Sequence, residues 1–219
     1  MKKRQTKKAN TNPRVLLFNK PFRVLCQFTD TEGRRTLADF IPVPGVYVAG
    51  RLDYDSEGLV ALTDQGHIQA LIAGPENKTP KTYFVQVEGI PSEEALHKLR
   101  TGVLLNDGMT LPAVVEILEE PPAFWERVPP VRFRKTVPDT WLRITITEGR
   151  NRQVRRMAAH VGHPVLRLIR TGIGQWELGK LKPGEWKEAH LPEFRGNTKK
   201  HTGNKGARKT SRKPPRRIR

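Results

Sequence analysis

Apolar positions fall into short runs along the chain, and their period changes from run to run. "RVLLFNKPFRVLCQF" (14–28) has two apolar runs about Lys20-Pro21, which predicts two strands around a turn. "GVYVAGRLD" and "GLVALT" are strand-like, with Asp64-Gln65-Gly66 as a turn. "HIQALIAG" predicts a short helix ending at Gly74. "KTYFVQVEG" is a β-branched and aromatic strand run closed by Gly89. Ser92 can cap a helix over "EEALHKLR", with acids in the first turn, Lys98 and Arg100 in the last, and Gly102 after it. "GVLLNDGMTLPAVVEIL" predicts two strands joined at Asp107-Gly108. The Pro-rich stretch "EPPAFWERVPPVRFRKTVPD" predicts a surface loop.

Two patterns are sharper. In "WLRITITEG", Leu142, Ile144 and Ile146 alternate with polar residues, the period of a half-buried strand. In "RNRQVRRMAAHVGHP", Val154, Met157, Ala158 and Val161 fall at i, i+3, i+4 and i+7, an amphipathic helix closed by Gly162 and Pro164. On that helix Arg152 and Arg156 point away from the apolar stripe. Arg155 lies on its flank, where a guanidinium can be partly buried and still reach a partner. No repeat of 20–50 residues is present. The strands are too many for a simple bundle and too unevenly separated for a regular βα alternation, so the expected class is α+β.

Charge adds an outer boundary. The 219 residues carry a net charge of +18, yet only 36% are hydrophobic, which places part of the chain outside any core. Residues 1–14 hold six Lys or Arg and no acid, and residues 195–219 hold eleven and no acid. These ends carry seventeen of the eighteen net charges, and their polar composition predicts disorder. The expected organisation is a disordered basic tail (1–13), one folded domain (14–194) and a second disordered basic tail (195–219). Like-charge basic blocks suit phosphate backbones, the alternative being a solubilising role. Within the body, Arg127 to Arg170 holds eleven basic residues against Asp139 and Glu148, which predicts a positive surface.

Other classes recede. One cysteine, Cys26, excludes an internal disulfide and suits a reducing cytosol. No apolar stretch approaches the roughly 20 residues that span a bilayer. The basic start lacks the apolar run of a signal peptide. His160 and His163 have no neighbouring acidic or sulfur ligands, a poor metal signal.

The candidate chemistry sits in "GRLDYDSEGLVALTDQG" (50–66), which places Asp53, Asp55 and Glu57 on alternate positions beside Arg51. Three readings are open from residues alone. A calcium loop fits Asp53, Asp55, Glu57, Gly58 and Asp64 at positions 1, 3, 5, 6 and 12, but places Asp rather than Glu at 12 and has no adequate helix before it. A structural reading pairs Arg51 with a nearby acid and sets the acids, Glu57 included, on a solvated turn. A catalytic reading uses a carboxylate against a sugar anomeric carbon, kept ionised by Arg51 or the Arg152/Arg155 cluster.

"GRLDYDSEGL" resembles the catalytic motif of the pseudouridine synthases of the RsuA/RluB/RluE/RluF family. "KTYFVQVEG" is similar to that family's second motif, and "EGRNRQVRRMAAHVGHPVLRLIR" to its third. "VLLFNKP" and "LKPGEWKEA" match its usual openings and closings, so the resemblance covers about Val15 to Leu191. Ser56 stands where the family usually has Thr. Many members open with a small S4 RNA-binding domain, which the short stretch before the first strand does not lead one to expect here.

The resemblance implies a pseudouridine synthase fold: a mixed, largely antiparallel sheet flanked by helices and loops, with a central RNA-binding cleft. It implies isomerisation of uridine to pseudouridine in 23S ribosomal RNA, with base flipping, in the cytoplasm, by an expected monomer without membrane attachment. Because the reaction conserves atoms, no metal, nucleotide or redox cofactor is expected. Carried over by position, Asp53 is the catalytic carboxylate and Arg155 its partner, or else a phosphate contact. Tyr83 covers the uracil face, or packs in the core beside Val85 and Val87. Arg51 enters the RNA stack or holds a phosphate, or forms a local ion pair. Arg152, Arg156 and Lys81 are further RNA contacts, and Leu168, with Leu166 as the alternative, lies under the ring. Asp55 and Glu57 are structural. A non-catalytic ribosome-associated RNA-binding protein would need only the basic segments. A glycosidase would need a second carboxylate to work on water.

Overall fold

The computed structural model describes residues 13–131 and 136–191. The expected basic tails, Pro13 apart, lie outside the described residues, as does Arg132–Lys135 of the Pro-rich stretch. The chain forms β1 (Val15–Lys20), β2 (Tyr47–Ala49), β3 (Glu57–Thr63), α1 (Gly66–Ala73), β4 (Lys81–Glu88), α2 (Glu93–Thr101), β5 (Leu104–Leu105), β6 (Gly108–Met109), β7 (Val114–Ile117), β8 (Asp139–Ile146), α3 (Gln153–His160), β9 (Val165–Ile173), β10 (Trp176–Glu177) and β11 (Trp186–Ala189).

One large sheet runs in the order β11-β1-β3-β9-β4-β8-β7, with β2 also paired to β3 and β10 to β9. Every named pairing is antiparallel except β3 with β9. This is the expected mixed, largely antiparallel α+β fold. β1 and β3 are buried along their whole length because both faces of the sheet are covered. Leu16, Phe18, Val60, Val85 and Leu142 join one core, and Val15, Leu17, Leu59, Trp141 and Ile169 join the other. β4 alternates: Tyr83, Val85 and Val87 are buried on one side.

Local signals explain the helices. Ser92 Oγ accepts the Ala95 N–H at 3.2 Å, and Gly102 follows α2 with φ +113°. In α3, Val154, Met157 and Ala158 are buried as the stripe predicts.

Three expectations change. The second strand expected within 21–28 does not form. Lys20 is buried and its Nζ donates to the Pro21 and Val24 carbonyls, at 3.0 and 2.8 Å, so the chain winds round the ammonium; only an isolated bridge joins Leu25 to Thr36. The 103–117 stretch is not one hairpin. β5 and β6 close over Asn106-Asp107 as a separate two-stranded sheet, while β7 joins the main sheet beside β8. The Pro-rich stretch is not simply a surface loop. Phe124 and Trp125 pack on the second core, Phe124 meeting Phe84 edge-on at 5.2 Å.

Candidate active site

The loop between β2 and β3 carries the carboxylates, and its backbone is held from several sides. The Ser56 N–H bonds the Asp53 carbonyl at 3.1 Å, and the Arg23 N–H bonds the Tyr54 carbonyl at 2.9 Å. Cys26 Sγ accepts the Leu52 N–H at 3.3 Å. Arg170, buried in β9, donates to the Gly50 and Leu59 carbonyls. Gly58 has φ +101°, and a Cβ there would lie 2.2 Å from the Arg170 carbonyl oxygen, so only glycine lets β3 meet β9 at this point.

The loop faces a cleft of about 410 Å³ whose lining includes Arg51, Asp53, Tyr83, Arg152, Arg155 and Leu168. Six candidate residues drawn from four separate segments of the chain are thus brought together. Leu166 is not among the lining residues. Asp53 keeps 29% of its side chain exposed, and Arg152 Nη1 lies 3.7 Å from its carboxylate. Arg51 is exposed and makes no ion pair among the described residues, so the local pairing expected for it in the structural reading is not observed.

The cations are distributed otherwise than the sequence suggests. Arg152 binds Asp55 through both guanidinium nitrogens, at 2.9 and 2.8 Å. Arg155 Nη2 donates to the Asp55 carbonyl at 2.7 Å and to Ser56 Oγ at 3.2 Å, and lies 3.5 Å from the Asp55 carboxylate. The ion pair nearest Asp53 is therefore with Arg152, not with Arg155 as expected. The reason is local: Arg152 has φ +47° and is the N-cap of α3 rather than part of it, so the helical wheel that pointed it outward does not apply. The buried Arg155 Nε has no hydrogen-bond acceptor among the described residues.

Electrostatics follow from these contacts. Burial pushes the Asp55 carboxyl up, but the Arg152 hydrogen bonds and the charges of Arg155 and Arg152 outweigh it and leave the group below its ordinary value. Burial draws the Arg155 guanidinium down, which Asp55 and Asp53 partly oppose.

Two expected RNA contacts are placed elsewhere. Lys81 is buried, and its Nζ donates inward to the Thr79 carbonyl at 2.9 Å, because position 81 shares the inward face of β4 with Tyr83. Arg156 binds the Asp107 carboxylate at 2.9 and 2.8 Å, on the β5–β6 turn, and does not line the cleft.

Sequence reasoning missed two clusters. Glu57 is not on a solvated turn: it is 1% exposed and bonds Arg167 Nε and Nη2, both at 2.9 Å, and Trp125 Nε1 at 2.8 Å. The available signal was its place at the head of the wholly apolar run that became β3. Glu148, Arg150 and Gln153 tie the β5–β6 hairpin to α3: Arg150 Nη1 donates to the Gly108 carbonyl at 2.9 Å, and Glu148 accepts the Leu111 N–H at 2.8 Å and a Gln153 hydrogen bond. Their pairing spans about 40 residues and had no local signature.

Chemically, a part-exposed carboxylate stands among guanidinium groups, with an aromatic and an apolar wall. Such a cleft suits a flat uncharged base on an anionic backbone. Among the described residues no three His, Cys, Asp or Glu side chains gather as a metal site, and no helix is long and apolar enough to cross a membrane.

Comparison with known proteins agrees with this chemistry. Residues 14–160 match the family described as RNA pseudouridylate synthase. The chain is 61% identical over 180 residues to ribosomal large subunit pseudouridine synthase E of Vibrio parahaemolyticus, covering 82% of this chain and 75% of that one. It is 36% identical over 178 residues to ribosomal large subunit pseudouridine synthase B of Bacillus subtilis, covering 80% and 68%. A crystal structure of a pseudouridylate synthase, 31% identical, superposes with a TM-score of 0.67 over 82% of this chain and 71% of that chain. The matched stretch contains Asp53, Tyr83 and Arg155 together, and the chain belongs to the RNA pseudouridylate synthase family, as an isomerase that makes pseudouridine in RNA.

Proposed function

We propose that this enzyme isomerises one uridine of the 23S ribosomal RNA, with Asp53 as the reacting carboxylate. The names of its most similar relatives support the large-subunit substrate. The observation that carries the residue assignment is the convergence of Asp53, Tyr83 and Leu168 on one cleft, with Arg152 at 3.7 Å from Asp53.

The target nucleotide is flipped from its stack, at a cost of a few kcal/mol. Arg51, exposed at the cleft and without an ion pair among the described residues, fills the vacated stack or holds the adjoining phosphate. Asp53 attacks C1′, or takes a sugar proton to give a glycal, and the C1′–N1 bond breaks. Uracil turns between Tyr83 and Leu168, and the C1′–C5 bond forms as the Asp53–C1′ bond breaks or Asp53 returns the sugar proton. The C5 proton passes to solvent and N1 takes one up, so the product has the composition of uridine. Arg152 and Arg155 keep the Asp55 carboxylate ionised as RNA excludes water from the loop. Residues 14–194 form the catalytic domain of a monomer acting in the cytoplasm, and the basic segments 1–13 and 195–219 capture RNA electrostatically.

The test is a map of pseudouridines in 23S ribosomal RNA from cells with the protein, without it, and with Asp53→Asn. One site should be present in the first and missing from the other two. A site that persists without the protein, or with Asp53→Asn at normal abundance, refutes the substrate or the carboxylate assignment respectively.

A further inference from the structure

Outside the cleft, Arg23 and Arg127 share one aromatic ring. The Arg127 guanidinium carbon lies 4.3 Å from the Phe22 ring centroid and that of Arg23 lies 5.5 Å from it. Arg127 is fixed in place: its Nε donates to the Pro129 carbonyl at 2.9 Å, Nη2 to the Pro130 carbonyl at 3.0 Å and Nη1 to the Leu166 carbonyl at 3.3 Å. All these partners are neutral. Neither arginine has an ion pair among the described residues, whereas Arg152, Arg155 and Arg167 nearby each meet a carboxylate. Glu57, the acid acting most strongly on Arg127, is already committed to Arg167 and Trp125. Two like charges thus share one ring, Arg127 half-buried and Arg23 exposed, with no carboxylate paired to either among the described residues, and an anion joining them would lower their repulsion.

Their placement identifies the anion. Arg23 is a non-glycine residue at φ +58°, and its N–H is bonded to the carbonyl of Tyr54, the residue after Asp53. Tyr54 itself is 37% exposed. The pair therefore stands beside the reactive loop and outside the cleft lining, within reach of a strand that continues beyond the cleft on that side.

We propose that Arg23 and Arg127, braced on Phe22, bind a backbone phosphate of the RNA strand that flanks the flipped uridine. The proposal rests on the functional reading above. Arg127 supplies a rigid, pre-oriented guanidinium, and Arg23 supplies the more exposed second arm. The pair fixes the strand's register relative to Asp53 and reads no base, as phosphate contacts generally do.

The test uses the full chain and unmodified 23S ribosomal RNA transcribed in vitro. Affinity is measured against salt for wild type, Arg23→Gln, Arg127→Gln and Arg23→Lys, with Lys98→Gln, a cation of α2 paired with Glu94, as control. Pseudouridine formation by the wild type is assayed in parallel. Arg23→Gln and Arg127→Gln should each bind several-fold more weakly, and the log–log salt slope should become shallower by roughly 0.7–0.9 for the lost phosphate. Arg23→Lys should restore the slope, and Lys98→Gln should leave it unchanged. Weaker binding with an unchanged slope, or wild-type affinity in both Gln variants, overturns the proposal. If the wild type makes no pseudouridine in this RNA, the functional reading falls, while the slopes still report whether the two arginines bind phosphate.

Discussion

Arg152 grips Asp55 at 2.8 and 2.9 Å yet approaches Asp53 only to 3.7 Å, so the carboxylate that faces the cleft is the less tightly held of the two. That asymmetry separates a reacting group from a bracing one. Asp53→Asn should lower single-turnover pseudouridine formation by more than about a thousandfold, as loss of a reacting group does. Asp55→Asn should cost about tenfold or less, because Arg152 loses its anchor but Asp53 remains. Single-turnover rates at saturating RNA check both, and equal losses would give Asp55 a share of the chemistry.

Arg155 and Arg156 are neighbours with different duties. Arg155 holds the loop through the Asp55 carbonyl and Ser56 Oγ, whereas Arg156 holds the β5–β6 turn through Asp107. Arg155→Ala should lose at least about tenfold in rate and Arg156→Ala only a few-fold, the difference that removing a site contact rather than a distant one makes.

The Arg156 hydrogen bonds hold the Asp107 carboxyl at about 2 instead of its ordinary 3.8. A depressed carboxyl stabilises the fold above its unfolded pKa, and that contribution fades as pH falls from about 4 toward 2. In Arg156→Ala, NMR titration should find the Asp107 carboxyl back near its ordinary value.

Glu57 and Arg167 form a buried pair, with side chains 1% and 9% exposed. Removing one partner strands the other, so Glu57→Ala should cost about 3–5 kcal/mol in chemical unfolding. The double variant Glu57→Ala with Arg167→Met should be less unstable than Glu57→Ala alone, since no charge is left unpaired.

Lys20 is fully enclosed, and burial lowers its ammonium to about 8 against the pull of Cys26, Glu57, Asp55 and Asp53. Its folded value lies below its unfolded 10.5, so the unfolded chain binds the extra proton between these limits. Stability relative to Lys20→Met should therefore rise from pH 8 to 10.5, by an amount on the order of 1–3 kcal/mol. Urea midpoints for both proteins across that range provide the check.

Elements with their own signals were legible in the sequence. The capped α2, the alternation of β8 and the apolar stripe of α3 each bury the residues their period selects. The cleft was legible through its motifs, which placed Asp53, Tyr83, Arg155 and Leu168 on one wall system. What stayed hidden depends on partners far along the chain. Lys81 looks like a surface cation until β8 and β9 close over β4, and Glu57 looks solvated until Arg167, 110 residues later, reaches it. Arg152 escaped the helical wheel because a single left-handed residue precedes α3.

The parallel junction of β3 with β9 has a consequence for the order of events in the cell. Gly58 must meet Arg170, and the loop carrying Asp53 is tied down by side chains about 100 residues later. At roughly 5–20 residues per second of synthesis, the two halves of the site emerge about 5–20 seconds apart. During that interval the loop lacks the Arg152, Arg155 and Arg170 contacts that hold it. On the proposed assignment, a chain cut short before β9 should therefore leave uridine unmodified, because the strand that follows the Asp53 loop has lost its pairing partner and its tie to Arg170.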